Sequence, residues 1–374
     1  MKVMIACGGT AGHINPALAI ADEIRSREPE SEILFVGAGR DLENRLIPRA
    51  GFDIVNIKMS GLYRKATPAN LVMNAKTLKN LFFASREAGK HIASFHPDAV
   101  IGTGGYICYP LLKKAAEAGV VTYIHESNAE PGLTTKLLSA KVDVVFTAFP
   151  GLERLYKKPE RVLYTGTPVL SDFRKAASGK NSAGAGPRPL LLSFWVSLGA
   201  ERMNEVMVEF IKLNIKEERF DHIHAVGKKG GISKMLERVN QPEQLTGLPK
   251  GIQVREYIDD MPSVMAQADL VLCRAGGSTL AELTVMSKPA VLVPSPYVTN
   301  DQQGKNAAQY QKYGGAIVID EKDCSGESLY NTVASILKDK DKRKRMSDSL
   351  AALSISSAES RIVDVMIKKH KKTD

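Results

Sequence analysis

With 374 residues, 44% of them apolar and 25% charged, the chain has the balance of a soluble globular protein and the length for two domains. Its 51 basic against 41 acidic residues give +10, which favours anionic partners, but the basic residues are scattered or terminal without aromatic interleaving, which sets nucleic-acid binding aside. Four cysteines without C-x-x-C spacing argue against a metal site or disulfide framework, no apolar run approaches the roughly 18 residues of a membrane span, and the N-terminus enters a glycine turn too soon for a signal peptide.

The first half alternates short apolar runs with amphipathic ones. Strand Val3–Ala6 meets a glycine turn at Cys7-Gly8-Gly9-Thr10-Ala11-Gly12-His13, followed by a helix from Pro16 to Arg27. Strand Ile33–Val36, helix Leu42–Ala50 and strand Phe52–Ile57 come next, then a long amphipathic stretch from Ala69 to Phe95. Strand Ala99–Ile101 runs into a second glycine turn, Gly102-Thr103-Gly104-Gly105-Tyr106, before helix Pro110–Ala118; strand Val120–Ile124 then delivers His125-Glu126-Ser127-Asn128 to a strand end. Such alternation predicts a parallel sheet covered by helices on both faces, with ligands outside the carboxyl ends of its strands. The turns at Gly8, Gly104 and His125 are therefore expected to face one cleft.

From Ala176 to Pro189 the text is small, polar and aperiodic, a linker. The alternation then restarts with strand Leu190–Phe194, a helix near Arg202–Leu213, and strands His222–Val226, Ile252–Arg255 and Asp269–Cys273. The last ends in a third glycine turn, Arg274-Ala275-Gly276-Gly277-Ser278-Thr279, whose helix carries Glu282. Strand Ala290–Val293 leads to Pro294-Ser295-Pro296, and Asp301 to Asn306 opens a further helix. The expectation is an α/β protein of two Rossmann-like, doubly wound domains facing a cleft: residues 1–165, a linker over 166–189, residues 190–345, and a C-terminal helix in 346–374 returning to the first domain. A nicotinamide or flavin enzyme is disfavoured, because Gly9 is followed two places on by Ala11 and no acid ends the second strand.

Six ordered motifs span nearly the whole chain: Gly8 to His13; Gly102 to Tyr106; His125-Glu126-x-Asn128 with Pro131-Gly132-Leu133-Thr134; Tyr257-Ile258-Asp259-Asp260-Met261; Arg274-Ala275-Gly276 with Glu282; and Gln302-Gln303-x-x-Asn306-Ala307. In this order they resemble the MurG-type N-acetylglucosaminyltransferases of glycosyltransferase family 28. The resemblance implies a GT-B fold and metal-independent, inverting transfer of N-acetylglucosamine from UDP-N-acetylglucosamine to undecaprenyl-linked lipid I, giving lipid II for peptidoglycan. It implies no cofactor, and peripheral attachment to the cytoplasmic face of the cell membrane.

By the same resemblance, Gly9, Thr10, Ala11 and Gly12 with Gly104, Gly105 and Tyr106 hold the acceptor pyrophosphate through backbone amides and helix N-termini. His13 is the candidate for taking the proton of the attacking hydroxyl, or else a phosphate ligand. Glu126 and Asn128 are competing or supporting candidates, and Glu126 reads equally as a buried structural carboxylate. Ser197, Gly199, Arg274 and Gly276 line the donor site, Tyr257 and Ile258 flank the uracil, and Glu282 accepts from the ribose hydroxyls. Gln302 and Gln303 bond the sugar hydroxyls with Asn306 in support.

Two positions depart from the family pattern. Trp195-Val196-Ser197-Leu198-Gly199-Ala200 stands where Gly-Gly-Ser-x-Gly-Ala is usual, and Leu170 ends Gly166-Thr167-Pro168-Val169-Leu170 where an arginine is usual. A weakened or altered diphosphate site is the expectation, with Trp195, the only tryptophan, covering part of it. Leu78, Leu81, Phe82 and Phe83 among Arg64, Lys65, Lys76, Lys79, Arg86 and Lys90 suit an anionic lipid surface or a packed helix with a basic outer face. Two other functions fit the same text: a UDP-sugar epimerase or hydrolase of this fold, and a degenerate, non-catalytic binder of lipid-linked precursors.

Overall fold

The computed structural model describes residues 1–59, 68–179, 186–195, 199–240, 247–355 and 357–371, and of residues 68–79 the backbone alone. The chain divides into two compact units, Met1–Leu170 with Ile355–Asp374, and Ser171–Ser354. The division falls after the helix Lys340–Leu353, whose Met346 and Leu350 are buried in the second unit, so the anticipated boundary at 345 lies inside an element.

In the first unit the strands are β1 (Lys2–Cys7), β2 (Glu32–Gly37), β3 (Asp53–Asn56), β4 (Ala99–Gly104), β5 (Val121–Glu126), β6 (Val144–Thr147) and β7 (Val162–Tyr164). They form one parallel seven-stranded sheet in the order β3-β2-β1-β4-β5-β6-β7. Helices α1 (Ala11–Arg27), α2 (Asp41–Arg49), α3 (Pro68–Phe95), α4 (Cys108–Glu117) and α5 (Leu133–Leu138) supply the crossovers. Every residue of β1 from Val3 to Cys7 is fully buried, as a central strand covered on both faces requires.

The second unit has β8 (Leu190–Phe194), β9 (Asp221–Ala225), β10 (Ile252–Arg255), β11 (Leu270–Cys273), β12 (Ala290–Leu292) and β13 (Ala316–Val318), parallel in the order β10-β9-β8-β11-β12-β13. Its helices are α6 (Ser171–Ser178), α7 (Glu201–Glu217), α8 (Ile232–Asn240), α9 (Met261–Gln267), α10 (Gly277–Val285), α11 (Gln302–Lys312), α12 (Gly326–Lys338) and α13 (Lys340–Leu353). The final helix, α14 (Ala358–His370), belongs to the first unit: Ile362, Val363 and Met366 enter its core against α1, and the Ser360 hydroxyl donates to Glu23 at 2.7 Å.

Both sheets reverse strand order at one place, between β1 and β4 and between β8 and β11. Neighbouring connections leave to opposite faces there, which opens a crevice at the carboxyl ends of the strands. The glycine turns after β1 and β4 border the first reversal, and the segments after β8 and β11 border the second.

Candidate active site

At the first reversal the two glycine turns are in contact. Gly104 and Gly105 have φ of 127° and 91°, which glycine adopts at little cost, and added Cβ atoms would meet His13 Nε2 at 2.8 Å and the Gly8 carbonyl oxygen at 2.7 Å. The absent side chains let β4's turn close over the one after β1. His13, half-buried in the first turn of α1, has Nδ1 2.8 Å from the Gly8 carbonyl oxygen. A carbonyl only accepts, so this bond requires the proton on Nδ1, and in the neutral ring the lone pair is then on Nε2 beside Gly104. The Thr103 hydroxyl donates to the His13 carbonyl at 2.7 Å, tying α1 to β4. Thr10 is the exposed N-cap residue of α1, Ala11 and Gly12 form its first turn, and Tyr106 is exposed at the rim.

The group that holds this turn is one that sequence patterning passes over. Glu43, in the first turn of α2, is fully buried. Its Oε1 accepts from the Gly9 amide at 2.8 Å, and its Oε2 from the amides of Ala38 at 2.7 Å and Arg40 at 3.3 Å. One carboxylate thus joins the ends of β1 and β2. The available signal was a glutamate three residues after the helix cap at Arg40, a pattern that usually means only a capping box.

Glu126 is held by the loop that follows it. Its Oε1 accepts from the Asn128 amide and side chain at 3.1 and 2.8 Å, and its Oε2 from the Gly132 amide and Thr135 hydroxyl at 2.9 and 2.7 Å. With four donors on two oxygens and 5% exposure, the carboxylate staples the loop after β5 and orients Asn128, the buried and hydrogen-bonded arrangement that was one of the two readings of this residue. His125 beside it gives Nε2–H to the Gly166 carbonyl at 3.0 Å, and burial pushes its pKa down to about 4, so the ring is neutral.

At the second reversal, Arg274 is 5% exposed, and its guanidinium is spent on the protein. Nη1 donates to the carbonyls of Val293 at 3.0 Å and Pro294 at 3.2 Å, and Nη2 pairs with Glu321 Oε2 at 2.6 Å. Arg274 thus ties together the strand ends that carry the donor-side motifs, paired with a glutamate 47 residues later in the sequence. Asn306, fully buried, donates from Nδ2 to the Ala275 carbonyl at 3.2 Å, and Gln303 Oε1 accepts from the Ser295 amide at 2.8 Å. Gly276 caps α10, half-buried Glu282 acts electrostatically on the buried Cys273 thiol, and Gln302 opens α11. These residues share one region.

Tyr257 and Ile258 follow β10. Ile258 is buried, whereas Tyr257 is 42% exposed with the Lys228 ammonium 4.9 Å from its ring centroid. Lys228 sits in a fourth glycine turn, Gly227 to Gly231, missed in the sequence. Gly199 (φ 92°) abuts this turn so closely that a Cβ would stand 2.5 Å from the Val226 carbonyl oxygen. Ser197 lies outside the described residues. Trp195 does not cover the site: it is 2% exposed and packs in the core of the second unit. Leu170 packs against the core of the first unit.

Two tandem doubly wound sheets, each carrying its motifs at the strand-order reversal, define the GT-B-type fold of nucleotide-sugar enzymes. The glycosyltransferase family 28 N-terminal domain matches residues 3–147, and the family's C-terminal domain matches residues 196–362. The chain belongs to glycosyltransferase family 28. A relative from Acetivibrio thermocellus is 41% identical over 372 residues, 98% of this chain and 97% of its own. One from Bacillus thuringiensis is 36% identical over 375 residues, all of both chains. Both carry the name UDP-N-acetylglucosamine–N-acetylmuramyl-(pentapeptide) pyrophosphoryl-undecaprenol N-acetylglucosamine transferase, the second with the suffix 2. The crystal structure of Acinetobacter baumannii MurG superposes with a TM-score of 0.75 at 25% identity, covering 98% of this chain and 99% of that one. A UDP-GlcNAc 2-epimerase from Methanocaldococcus jannaschii, TM-score 0.65 at 15% identity over 98% of this chain and all of that one, shares the fold alone.

Proposed function

We infer that the protein transfers N-acetylglucosamine from UDP-N-acetylglucosamine to the lipid-linked muramyl acceptor that its relatives' name describes. The observation that carries this reading is the fixed His13 ring, whose Nδ1–H is committed to Gly8 so that Nε2 keeps a lone pair at the glycine turns. In the reaction, His13 Nε2 takes the proton as the acceptor oxygen bonds to the sugar's anomeric carbon. The carbon–oxygen bond to the diphosphate breaks, and UDP leaves with the electron pair. Attack opposite the leaving group inverts the anomeric centre. Amides and helix N-termini at the two strand-order reversals stabilise the acceptor and leaving diphosphates. Glu282 accepts from the ribose, Gln302 and Gln303 hydrogen-bond the sugar hydroxyls, and Tyr257 lies against the uracil. Among the described residues, no group of three or more His, Cys, Asp or Glu side chains is placed to hold a metal ion.

The reaction takes place at the inner face of the cell membrane. No described helix is long and apolar enough to cross a membrane. On α3, Ala84, Ala88 and Ile92 face inward, while Phe82 and Phe83 are 68% and 55% exposed with ring centroids 5.8 Å apart. Two adjacent exposed phenylalanines on a helix that also carries Arg86 and Lys90 suit insertion into an anionic bilayer. Arg64 and Lys65 lie outside the described residues, as do the side chains of Lys76, Leu78 and Lys79.

The test is a transfer assay with labelled UDP-N-acetylglucosamine and a lipid I analogue. Lipid-dependent product from the wild type that falls at least a hundredfold in His13→Ala supports the reading. Consumption of the nucleotide sugar without acceptor, or full activity of the variant, overturns it.

A further inference from the structure

The replacement of a usual glycine by Trp195 leaves a specific trace. The residue follows β8, and Arg274 follows β11, the two strands that flank the reversal in the second sheet. The Arg274 guanidinium carbon lies 5.7 Å from the Trp195 ring centroid, with both side chains at most 5% exposed. A desolvated cation on an aromatic face is attracted by the ring's quadrupole more strongly than it would be in water. The indole Nε1–H is buried without a hydrogen-bond partner among the described residues. What the ring offers is its face.

From Arg274 the contacts continue toward the sugar-recognising residues. Nη1 holds the Val293 and Pro294 carbonyls, Nη2 is fixed by Glu321, and the next residue, Ser295, gives its amide to Gln303 Oε1. Asn306, one turn beyond Gln303 on α11, holds the Ala275 carbonyl beside Arg274. The Val293 and Pro294 carbonyls are thus held by one guanidinium, and the tryptophan ring lies against that guanidinium.

We propose that Trp195 is a positioning residue for the nucleotide sugar: its ring fixes Arg274, and through Arg274 the Val293–Ser295 segment and Gln303. The proposal rests on the function inferred above.

Calorimetric titration of the full chain with UDP-N-acetylglucosamine separates the two, alongside acceptor KM from the transfer assay. Trp195→Phe keeps a ring face and is expected to bind within about threefold of the wild type. Trp195→Leu removes it and is expected to bind about tenfold more weakly, with acceptor KM unchanged. Glu321→Gln, which frees Arg274 while leaving the ring in place, is the second variant should Trp195→Leu not fold, and the same donor-only weakening is expected. Wild-type affinity in Trp195→Leu or Glu321→Gln overturns the proposal, and so does an equal change in donor and acceptor KM, the mark of general loosening. If the wild type binds no UDP-sugar, the inferred function fails and takes the proposal with it; binding that ignores Trp195 and Glu321 sinks the proposal alone.

Discussion

Replacing Glu43 by glutamine tests whether one buried carboxylate builds the acceptor-side turn. The carboxylate serves three amides, Gly9 at 2.8 Å through Oε1, and Ala38 at 2.7 Å and Arg40 at 3.3 Å through Oε2. Glutamine has one acceptor oxygen. If that oxygen stays with Ala38 and Arg40, the amide NH2 faces the Gly9 N–H, donor against donor, with no exposure to water at residue 43. Losing a charge-assisted bond and stranding a buried donor costs on the order of 3 kcal/mol. For a domain of this size, that lowers the melting temperature of the first unit by roughly 10 °C. Gly9, held at φ 90°, then loses its tether, and the turn under the acceptor shifts. Differential scanning calorimetry and separate KM measurements for acceptor and donor are the assays. The expected result is an acceptor KM raised about tenfold, with donor KM within twofold. A glutamine variant that melts with the wild type and keeps its acceptor KM would show that the carboxylate does not hold the turn.

Three further predictions follow from other parts of the molecule. His13→Ala is expected to lower kcat by about a hundred- to ten-thousandfold while UDP-N-acetylglucosamine still binds, as read by single-turnover kinetics and calorimetry. Phe82→Ser with Phe83→Ser is expected to cut co-sedimentation with anionic vesicles at least fivefold while activity on a soluble acceptor analogue is kept; undiminished sedimentation argues against the patch. The third concerns acid stability. Ser193 Oγ lies 2.7 Å from both His222 Nε2 and His224 Nδ1 in the core of the second unit, where burial pushes His224 down to about 3 and His222 also far down. The folded state keeps these rings neutral while the unfolded chain protonates near 6.5, so their contribution is fully present above that pH and declines as the pH falls. From pH 7 to 5 the loss is about 2 kcal/mol for His224, and His222 adds to it in the same direction. Urea unfolding of His222→Asn with His224→Gln is expected to show a shallower decline over that range than the wild type, and an unchanged slope refutes it.

The local pattern of the chain already determined its alternation of strand and helix, the glycine turns, and the presence of His13 at the start of α1. These rest on neighbours within a few residues: an apolar run, a residue without Cβ, a helix start. The short strands β6, β7 and β13 and the turn at Gly227 were less legible, because three or four apolar residues carry no period of their own. What each polar side chain does was decided only by the tertiary structure. Glu126 read equally as a catalytic or a structural carboxylate and Arg274 as a residue lining the donor site; only the fold shows four donors from the 128–135 segment on the first and Glu321 paired with the second. Glu43 drew no reading from its sequence neighbours, and only folding placed Gly9 against it; Trp195 read as a cover for the site until the sheet buried its ring beside Arg274. Sequence spacing specifies what a backbone segment can adopt. The partner that satisfies a buried charge arrives from another strand, and only the completed sheet brings it there.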